Sequence, residues 1–300
     1  MRFQLKDRLL ELRDGKPLIM GIVNIGSDSV ADPLSLDTLD AQIEFALRQS
    51  AAGAHILDIG VQSGRTDTAV LPEQQEIERL VPLVRALAER ELVVSVDTWR
   101  AAVAEAAIEA GAALINDVGG LVDERLADVV GAGGAGLVMM HTRAAPKQEH
   151  FPGYEDATAD ILTFLEQRMR LALSRGVSRE QIVIDPGLDY AKTPQESIEV
   201  LRRLGELRQL DRPILLAVSR KYFIGMLSGA APDERLAGTL AAIDFGVSAG
   251  AHIVRVHDVA QATEFLRVRS ALRGEGRVEL DGDPDDETLK WIEPKRALNG

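Results

Sequence analysis

The sequence contains no cysteine, which excludes disulfide bonds, thiolate catalysis and metal sites built on cysteine. It also lacks long apolar runs: no stretch approaches the ~18 uninterrupted apolar residues that indicate a membrane-spanning helix. The N-terminal segment has no apolar core typical of a secretion signal. Positive charge is in deficit too, because the formal net charge is −13. We therefore expect a cytoplasmic protein with no general role on nucleic acid or on an anionic membrane.

What the sequence does contain is a series of short apolar runs, each followed by a longer segment with helical periodicity. The runs are continuous rather than alternating, as expected of parallel strands that are covered on both faces. Strands are predicted at residues 18–24, 55–60, 92–97, 113–117, 136–141, 182–187, 214–220 and 252–258. Helices are predicted at residues 39–51, 73–90, 99–110, 124–130, 154–175, 194–210, 233–249 and 259–272.

Three of the predicted helices end in the same Ala-Gly-Ala join to the next strand, at Gly53, Gly111 and Gly250. Repeated βα units in this order predict a (β/α)₈ TIM barrel that forms a single α/β domain over residues 1–272. An open doubly wound sheet is the alternative, which the absence of a Gly-x-Gly-x-x-Gly sequence after the first strand disfavours. Residues before Leu18 are expected to close the barrel floor, and the acidic, turn-rich segment 273–300 is expected to be a mobile tail.

The predicted strands share one property, which is that each begins apolar and ends polar. In an α/β barrel these ends converge on one face, where active sites are built. The polar residues at the strand ends include Asn24, Asp58, Asp97, Asn116, His141, Asp185, Ser219, Arg220, Lys221, Arg255 and His257. A single member could be a helix cap, but a whole ring of them favours a functional site.

The chemistry of this ring divides into two groups. Carboxylate and amide groups at Asp97, Asn116 and Asp185 suit the edge of a flat nitrogen heterocycle, with Lys221 as a donor to the same ring. Arg65, Arg255 and His257 offer cationic donors that suit phosphate. The predicted ligand is a planar nitrogen ring with a phosphate-bearing arm.

Six segments then resemble the dihydropteroate synthase family, in that family's order. They are MGIVN at 20–24, SVDTWR at 95–100, LINDV at 114–118, IDPG at 184–187, SRKYFIG at 219–225 and RVHDV at 255–259. Members of the family join 6-hydroxymethyl-7,8-dihydropterin pyrophosphate to p-aminobenzoate and release pyrophosphate in folate biosynthesis. The resemblance implies a transferase of this kind, with these two small molecules as partners and a homodimer as the assembly.

The resemblance also implies roles for individual residues. Pterin binding falls to Asp97, Asn116, Asp185 and Lys221, and pyrophosphate binding to Arg255 and His257. Asn24 is implied as a ligand of a Mg²⁺ cofactor. Catalytic roles are implied for Asp28, Arg65 and Lys221.

One loop and three single positions depart from the family pattern around one half of the site. The first mobile loop, GSDSVADPL, keeps Asp28 but lacks the usual proline, aromatic and glycines, and Gly64 replaces the threonine before Arg65. Asp189 stands at the second glycine of the family's Asp-Pro-Gly-x-Gly-Phe pattern, where we expect it to place a carboxylate near the pterin. Tyr222 stands where a serine usually helps to seat aminobenzoate. We expect the bulk of the Tyr222 phenol to block or reshape that half-site.

Three hypotheses follow. The first is an active dihydropteroate synthase, of full or weak activity. The second is a diverged paralogue that binds pterin or its pyrophosphate with little or no synthase activity. The third, weakest because it does not need the cationic groups around Lys221 and Arg255, is a pterin-binding barrel that passes methyl groups to a corrinoid.

Overall fold

The computed structural model of the protein describes residues 1–26, 36–62 and 70–275. The chain begins with two short antiparallel strands, β1 (Arg2–Leu5) and β2 (Arg8–Glu11). Phe3 and Leu5 of this hairpin are fully buried against residues from the lower half of the barrel, including Met20, Leu114 and Ile253. The expectation that residues before Leu18 close the barrel floor is confirmed.

An eight-stranded parallel sheet follows and forms the barrel. Its strands are β3 (Leu18–Asn24), β4 (Ile56–Gly60), β5 (Val94–Asp97), β6 (Leu114–Asp117), β7 (Gly136–Met140), β8 (Ile182–Asp185), β9 (Leu215–Leu216) and β10 (Ile253–Val256). Neighbouring strands pair in the order β8-β7-β6-β5-β4-β3-β10-β9, and a parallel bridge between Ile184 and Ile214 joins the two ends. The predicted (β/α)₈ barrel is therefore confirmed.

Helices pack around the outside of the sheet. They are α1 (Leu39–Ala51), α2 (Glu73–Ala88), α3 (Ala101–Glu109), α4 (Arg125–Gly133), α5 (Ala157–Ser174), α6 (Pro194–Arg202), α7 (Tyr222–Ser228), α8 (Leu236–Ser248) and α9 (Val259–Arg273). Within the described ranges, no helix is long and apolar enough to cross a membrane. Gly53, Gly111 and Gly250 have φ values of +110°, +115° and +108° at the ends of α1, α3 and α8, so the predicted glycine stops are confirmed.

The seventh barrel strand is shorter than predicted, and the difference shapes the site. Residues 214–220 were expected to be one strand, but β9 covers only Leu215–Leu216. The amide of Lys221 donates to the carbonyl of Val218 at 3.3 Å, and Arg220 has a left-handed φ of +57°. This turn ends the strand early, because left-handed backbone cannot continue a pleated ladder.

The predicted helix at residues 194–210 is also interrupted. α6 ends at Arg202, and a 3₁₀ segment, Leu204–Leu210, continues to the turn at Asp211, whose φ is +50°. Leu204 and Leu207 are buried at three-residue spacing, which matches the tighter 3₁₀ repeat.

Candidate active site

Two adjoining cavities lie at the carboxyl ends of the barrel strands. The smaller, of about 260 Å³, is lined by residues that include Asn24, Asp97, Arg255 and His257. The larger, of about 430 Å³, lies beside the loops that follow β5, β6, β7 and β8. Tyr190 and Lys221 line both cavities and so form a shared wall between them.

Arg255 at the end of β10 lies between two carboxylates. Its Nε donates to Asp58 Oδ2 at 2.6 Å, and its NH2 group donates to Asp97 Oδ2 at 3.0 Å. The sequence analysis predicted phosphate as the partner of this guanidinium. In the structure, the carboxylates of Asp58 and Asp97 are its hydrogen-bond partners. A role for Arg255 toward phosphate stays a prediction.

Asp58 is the hub of this network, although the sequence analysis placed it in the ring of polar strand ends without a role of its own. Its side chain is fully buried, and besides Arg255 it accepts hydrogen bonds from Ser95 Oγ at 2.6 Å and Asn116 Nδ2 at 3.0 Å. Strands β4, β5, β6 and β10 are thus tied together at their polar ends. The sequence signal was available, because Asp58 ends a buried strand as Asp97 and Asp185 do.

Two carboxylates share the Arg255 guanidinium, so among the residues that the structure describes they do not each have a cation of their own. Burial raises the pKa of Asp97 to about 7, while the Arg255 charge lowers it and the nearby Asp58 charge adds to the rise. A ligand that donates hydrogen bonds to a buried carboxylate stabilises its charged form. We therefore expect Asp97 to favour a ligand with N–H donors. Asp97 lines the smaller cavity, where such a ligand would reach it.

Asn116 presents the complementary acceptor. Its amide nitrogen donates to Asp58, whereas its Oδ1 atom is buried and has no hydrogen-bond partner in the described part of the chain. Orphaned buried acceptors are rare, since each one loses its hydration without compensation. An N–H group on a bound heterocycle would satisfy this oxygen.

Asp185 and Lys221 occupy the neighbouring strand ends. Asp185 Oδ1 accepts a hydrogen bond from the amide of Gly187 at 2.7 Å, and burial raises the pKa of its carboxyl group. Lys221 Nζ lies 4.4 Å from the centre of the Tyr190 ring. Burial lowers the pKa of Lys221, and the carboxylates of Asp189 and Asp185 oppose that shift.

His257 is held by Ser219. The Ser219 Oγ atom accepts from the His257 amide at 3.1 Å and lies 2.9 Å from the ring Nδ1. Burial lowers the pKa of His257 to about 3, and the Arg255 charge adds to this effect. His257 was expected to be a cationic donor, and the lowered pKa favours the neutral ring instead; its role toward phosphate stays a prediction. With Ser219 donating to Nδ1, Nε2 carries the proton and can donate to an anion.

The two departures that lie within the described residues have clear surroundings. Asp189 was expected to put a carboxylate near the pterin, but its Oδ2 atom accepts from the amide of Tyr222 at 2.5 Å and of Phe223 at 3.4 Å. The Tyr222 side chain is 56% exposed at the rim of the smaller cavity. Much of the phenol therefore faces solvent, and its expected effect on the aminobenzoate half-site stays a prediction.

The remaining predicted residues divide by position. Asn24 lines the smaller cavity, whereas Asp28, Gly64 and Arg65 lie outside the described residues. Over residues 1–26, 36–62 and 70–275, no group of three or more histidines and carboxylates could hold a metal ion. Arg220, which the sequence grouped with Lys221, forms a two-fold ion pair with Asp258 at 3.0 and 2.6 Å.

Comparison with known proteins agrees with this geometry. The model of a family described as pterin binding enzyme matches residues 20–257. Dihydropteroate synthase of Bacillus subtilis is 37% identical over 88% of this chain and 91% of its own length. A Yersinia pestis dihydropteroate synthase solved with a sulfonamide drug superposes with a TM-score of 0.86 at 33% identity, covering 92% of this chain and 100% of that one. The Xanthomonas albilineans enzyme in complex with 7,8-dihydropteroate gives 0.81 at 34% identity, covering 91% and 99%.

Fold, site and family match together define a pterin-binding (β/α)₈ barrel. More narrowly, the chain belongs to the dihydropteroate synthase family, as its six motifs indicated.

Proposed function

We propose that the protein is a dihydropteroate synthase, a transferase that condenses 6-hydroxymethyl-7,8-dihydropterin pyrophosphate with p-aminobenzoate. The observation that carries the proposal is that two unsatisfied groups occupy paired positions at the ends of β5 and β6: Asn116 Oδ1, a buried acceptor without a partner, and the buried carboxyl group of Asp97, which lines the smaller cavity. The amino and ring N–H groups of a pterin supply the donors that both lack. Enzymes of this name bind 4-aminobenzoate and 7,8-dihydropteroate in Xanthomonas albilineans.

The reaction breaks the C–O bond to pyrophosphate and forms a C–N bond to the arylamine, which gives up one proton. Asp97, Asn116, Asp185 and Lys221 hold the pterin ring in this proposal. The neutral His257 donates a hydrogen bond from Nε2 to the departing pyrophosphate, and Arg255 adds positive charge on the same side. Positive charge aimed at the leaving group stabilises the charge that develops in the transition state.

The family resemblance implies Mg²⁺ as the cofactor, and one side chain with a suitable oxygen, Asn24, lines the smaller cavity. Asn24 lines the same cavity as Arg255 and His257. A side chain at Gly60 would crowd the Asn24 Oδ1 atom, because an added Cβ there would lie 3.2 Å from it. Mg²⁺ is commonly held by few protein oxygens, with water and substrate phosphate completing its shell. In our proposal Asn24 would be the residue that holds the ion, which would supply positive charge near the leaving pyrophosphate.

Four further parts of the proposal rest on the sequence pattern or on the family resemblance. Asp28 and Arg65 act with Lys221 in catalysis from the loops after β3 and β4. Residues 1–272 form one domain followed by a tail over 273–300. The protein is a cytoplasmic homodimer, and the exposed apolar side chains Phe245 of α8 and Val268 and Leu272 of α9 are where subunits would meet.

The test is formation of dihydropteroate from the two substrates, followed by mass spectrometry, with and without Mg²⁺. The Asn116→Leu variant, which removes the orphaned acceptor in a similar volume, should lose product formation and pterin pyrophosphate binding together. Asp156→Asn, a matched polar change at the start of α5, is the control and should leave both unchanged.

Binding of pterin pyrophosphate without any product after long incubation would reject the synthase proposal in favour of a diverged pterin-binding paralogue. In that case the double variant Gly64→Thr with Tyr222→Ser tests whether the two family residues restore turnover. Absence of both binding and product would reject both hypotheses.

A further inference from the structure

Three hydrogen bonds fix the loop after β8, which includes Tyr190 of the wall shared by the two cavities. The ammonium group of Lys192, only 2% exposed as a residue, donates to the carbonyls of Gly187 at 2.9 Å and Tyr190 at 3.1 Å. The amide of Asp189 donates to the buried Ser197 Oγ at 3.0 Å. The loop is therefore a rigid support, and the direction of its side chains is set by the backbone.

Asp189 is the residue that projects from this support toward the next loop. Its φ of +64° is left-handed, which aspartate tolerates better than most residues. The Oδ2 atom then receives the amides of Tyr222 and Phe223, the first two residues of α7. These bonds join the loop after β8 to the loop after β9, and Lys221 is the residue immediately before the joined amides.

We propose that Asp189 is a positioning residue for the active site: its carboxylate ties the loop after β8 to the start of α7 and so holds the Lys221 ammonium over the Tyr190 ring. The family pattern has glycine at this position, which cannot make the tie. In this chain, the Asp189 side chain therefore connects two loops that a glycine at this position could not connect. The inference rests on the proposed function only in taking Lys221 as a substrate ligand.

The electrostatic surroundings of Lys221 support a second effect of the same carboxylate. In the described part of the chain, the charged or titratable side chains around Lys221 include Asp97, Asp185, Asp189, Lys192, Arg255, His257 and the Tyr190 ring. Arg220 and Tyr222 are its neighbours in sequence, and Arg235 donates to its carbonyl at 3.3 Å. Of the groups that raise the pKa of Lys221 against the effect of burial, Asp189 is the largest. Loss of its charge should make the ammonium easier to deprotonate.

Two substitutions separate geometry from charge. Asp189→Asn keeps a hydrogen-bond acceptor and removes the charge, whereas Asp189→Gly removes both; asparagine and glycine each tolerate the left-handed backbone. In the glycine variant, hydrogen exchange at the amides of Tyr222 and Phe223 should speed up about tenfold, as expected for loss of a side-chain acceptor at a helix start. The asparagine variant should keep most of that protection.

Titration of Lys221, followed by NMR on ¹³C-labelled lysine, should show a lower pKa in both variants. As a result, the affinity for pterin pyrophosphate should begin to fall at a lower pH than in the wild type. Asp156→Asn, whose side chain accepts from two amides at the start of α5, is the matched control and should change none of these readouts.

Wild-type exchange of the Tyr222 and Phe223 amides in the glycine variant would overturn the proposal, as would an unchanged Lys221 titration in both variants. Exchange and titration are measured without substrate. A wild-type protein that does not bind pterin pyrophosphate would therefore reject the proposed function, while these two readouts still decide the role of Asp189.

Discussion

Replacing Asp97 by asparagine should change how the stability of the fold depends on pH. Burial raises the pKa of Asp97 from 3.8 to about 7. A carboxyl group whose pKa is higher in the folded state binds its proton more tightly there than in the unfolded chain. The stability that this proton contributes is present at low pH and is lost as the pH rises from about 4 to about 7.

The magnitude follows from the size of the shift. About three pH units at ~1.4 kcal/mol each give about 4 kcal/mol as the stability lost through this group in the wild type. Asp97→Asn cannot ionise, and its side-chain oxygen can still accept from Arg255. We compare the free energy of unfolding of the variant with that of the wild type at each pH. This difference should shift in favour of the variant by up to about 4 kcal/mol between pH 4 and pH 8.

Urea denaturation of both proteins at several pH values measures the difference. Asp156→Asn is the control, since the pKa of Asp156 is lowered and its contribution changes only at more acidic pH. The same Asp97→Asn variant should bind pterin pyrophosphate at least tenfold more weakly, because an amide offers one acceptor where the carboxylate offers two. Parallel stability curves for wild type and variant would refute the reasoning.

Three further substitutions test other parts of the structure. Arg255→Lys should destabilise the fold by about 3 kcal/mol and weaken pterin pyrophosphate binding, because one ammonium cannot reach both carboxylates as the planar fork does; calorimetry and thermal melting check both effects. Lys192→Met should flatten the rise of stability between pH 7 and 10 in urea titrations, since burial lowers the pKa of Lys192 to about 7 and the unfolded chain binds the proton more tightly. Phe3→Ala should cost about 3–5 kcal/mol by opening a cavity in the barrel floor, with pterin pyrophosphate affinity retained.

The fold was predictable because its signals are local and repeated. Buried parallel strands read as continuous apolar runs, and glycines such as Gly53, Gly111 and Gly250 mark helix ends whose left-handed backbone the structure confirms. The early end of β9 was not predictable, because residues 214–220 read as apolar-to-polar strand until the backbone turns at Arg220.

The sequence predicted where the polar strand ends lie, but not which of them pair with one another. Polar strand ends identified Asp97, Asn116, Asp185 and Lys221, and the barrel topology brings such ends to one face. Which groups pair depends on strand register, however, so the capture of Arg255 by Asp58 and Asp97 was not visible in the sequence. The neutral state of His257 likewise depends on burial and on neighbours distant in the chain.

The most direct test of the account is the position of the pterin ring in a crystal structure with pterin pyrophosphate bound. We predict that the ring occupies the smaller cavity, with its N–H edge within hydrogen-bond distance of Asp97 and of Asn116 Oδ1. A ring that leaves both groups without contact, or that lies only in the larger cavity, would contradict the central claim.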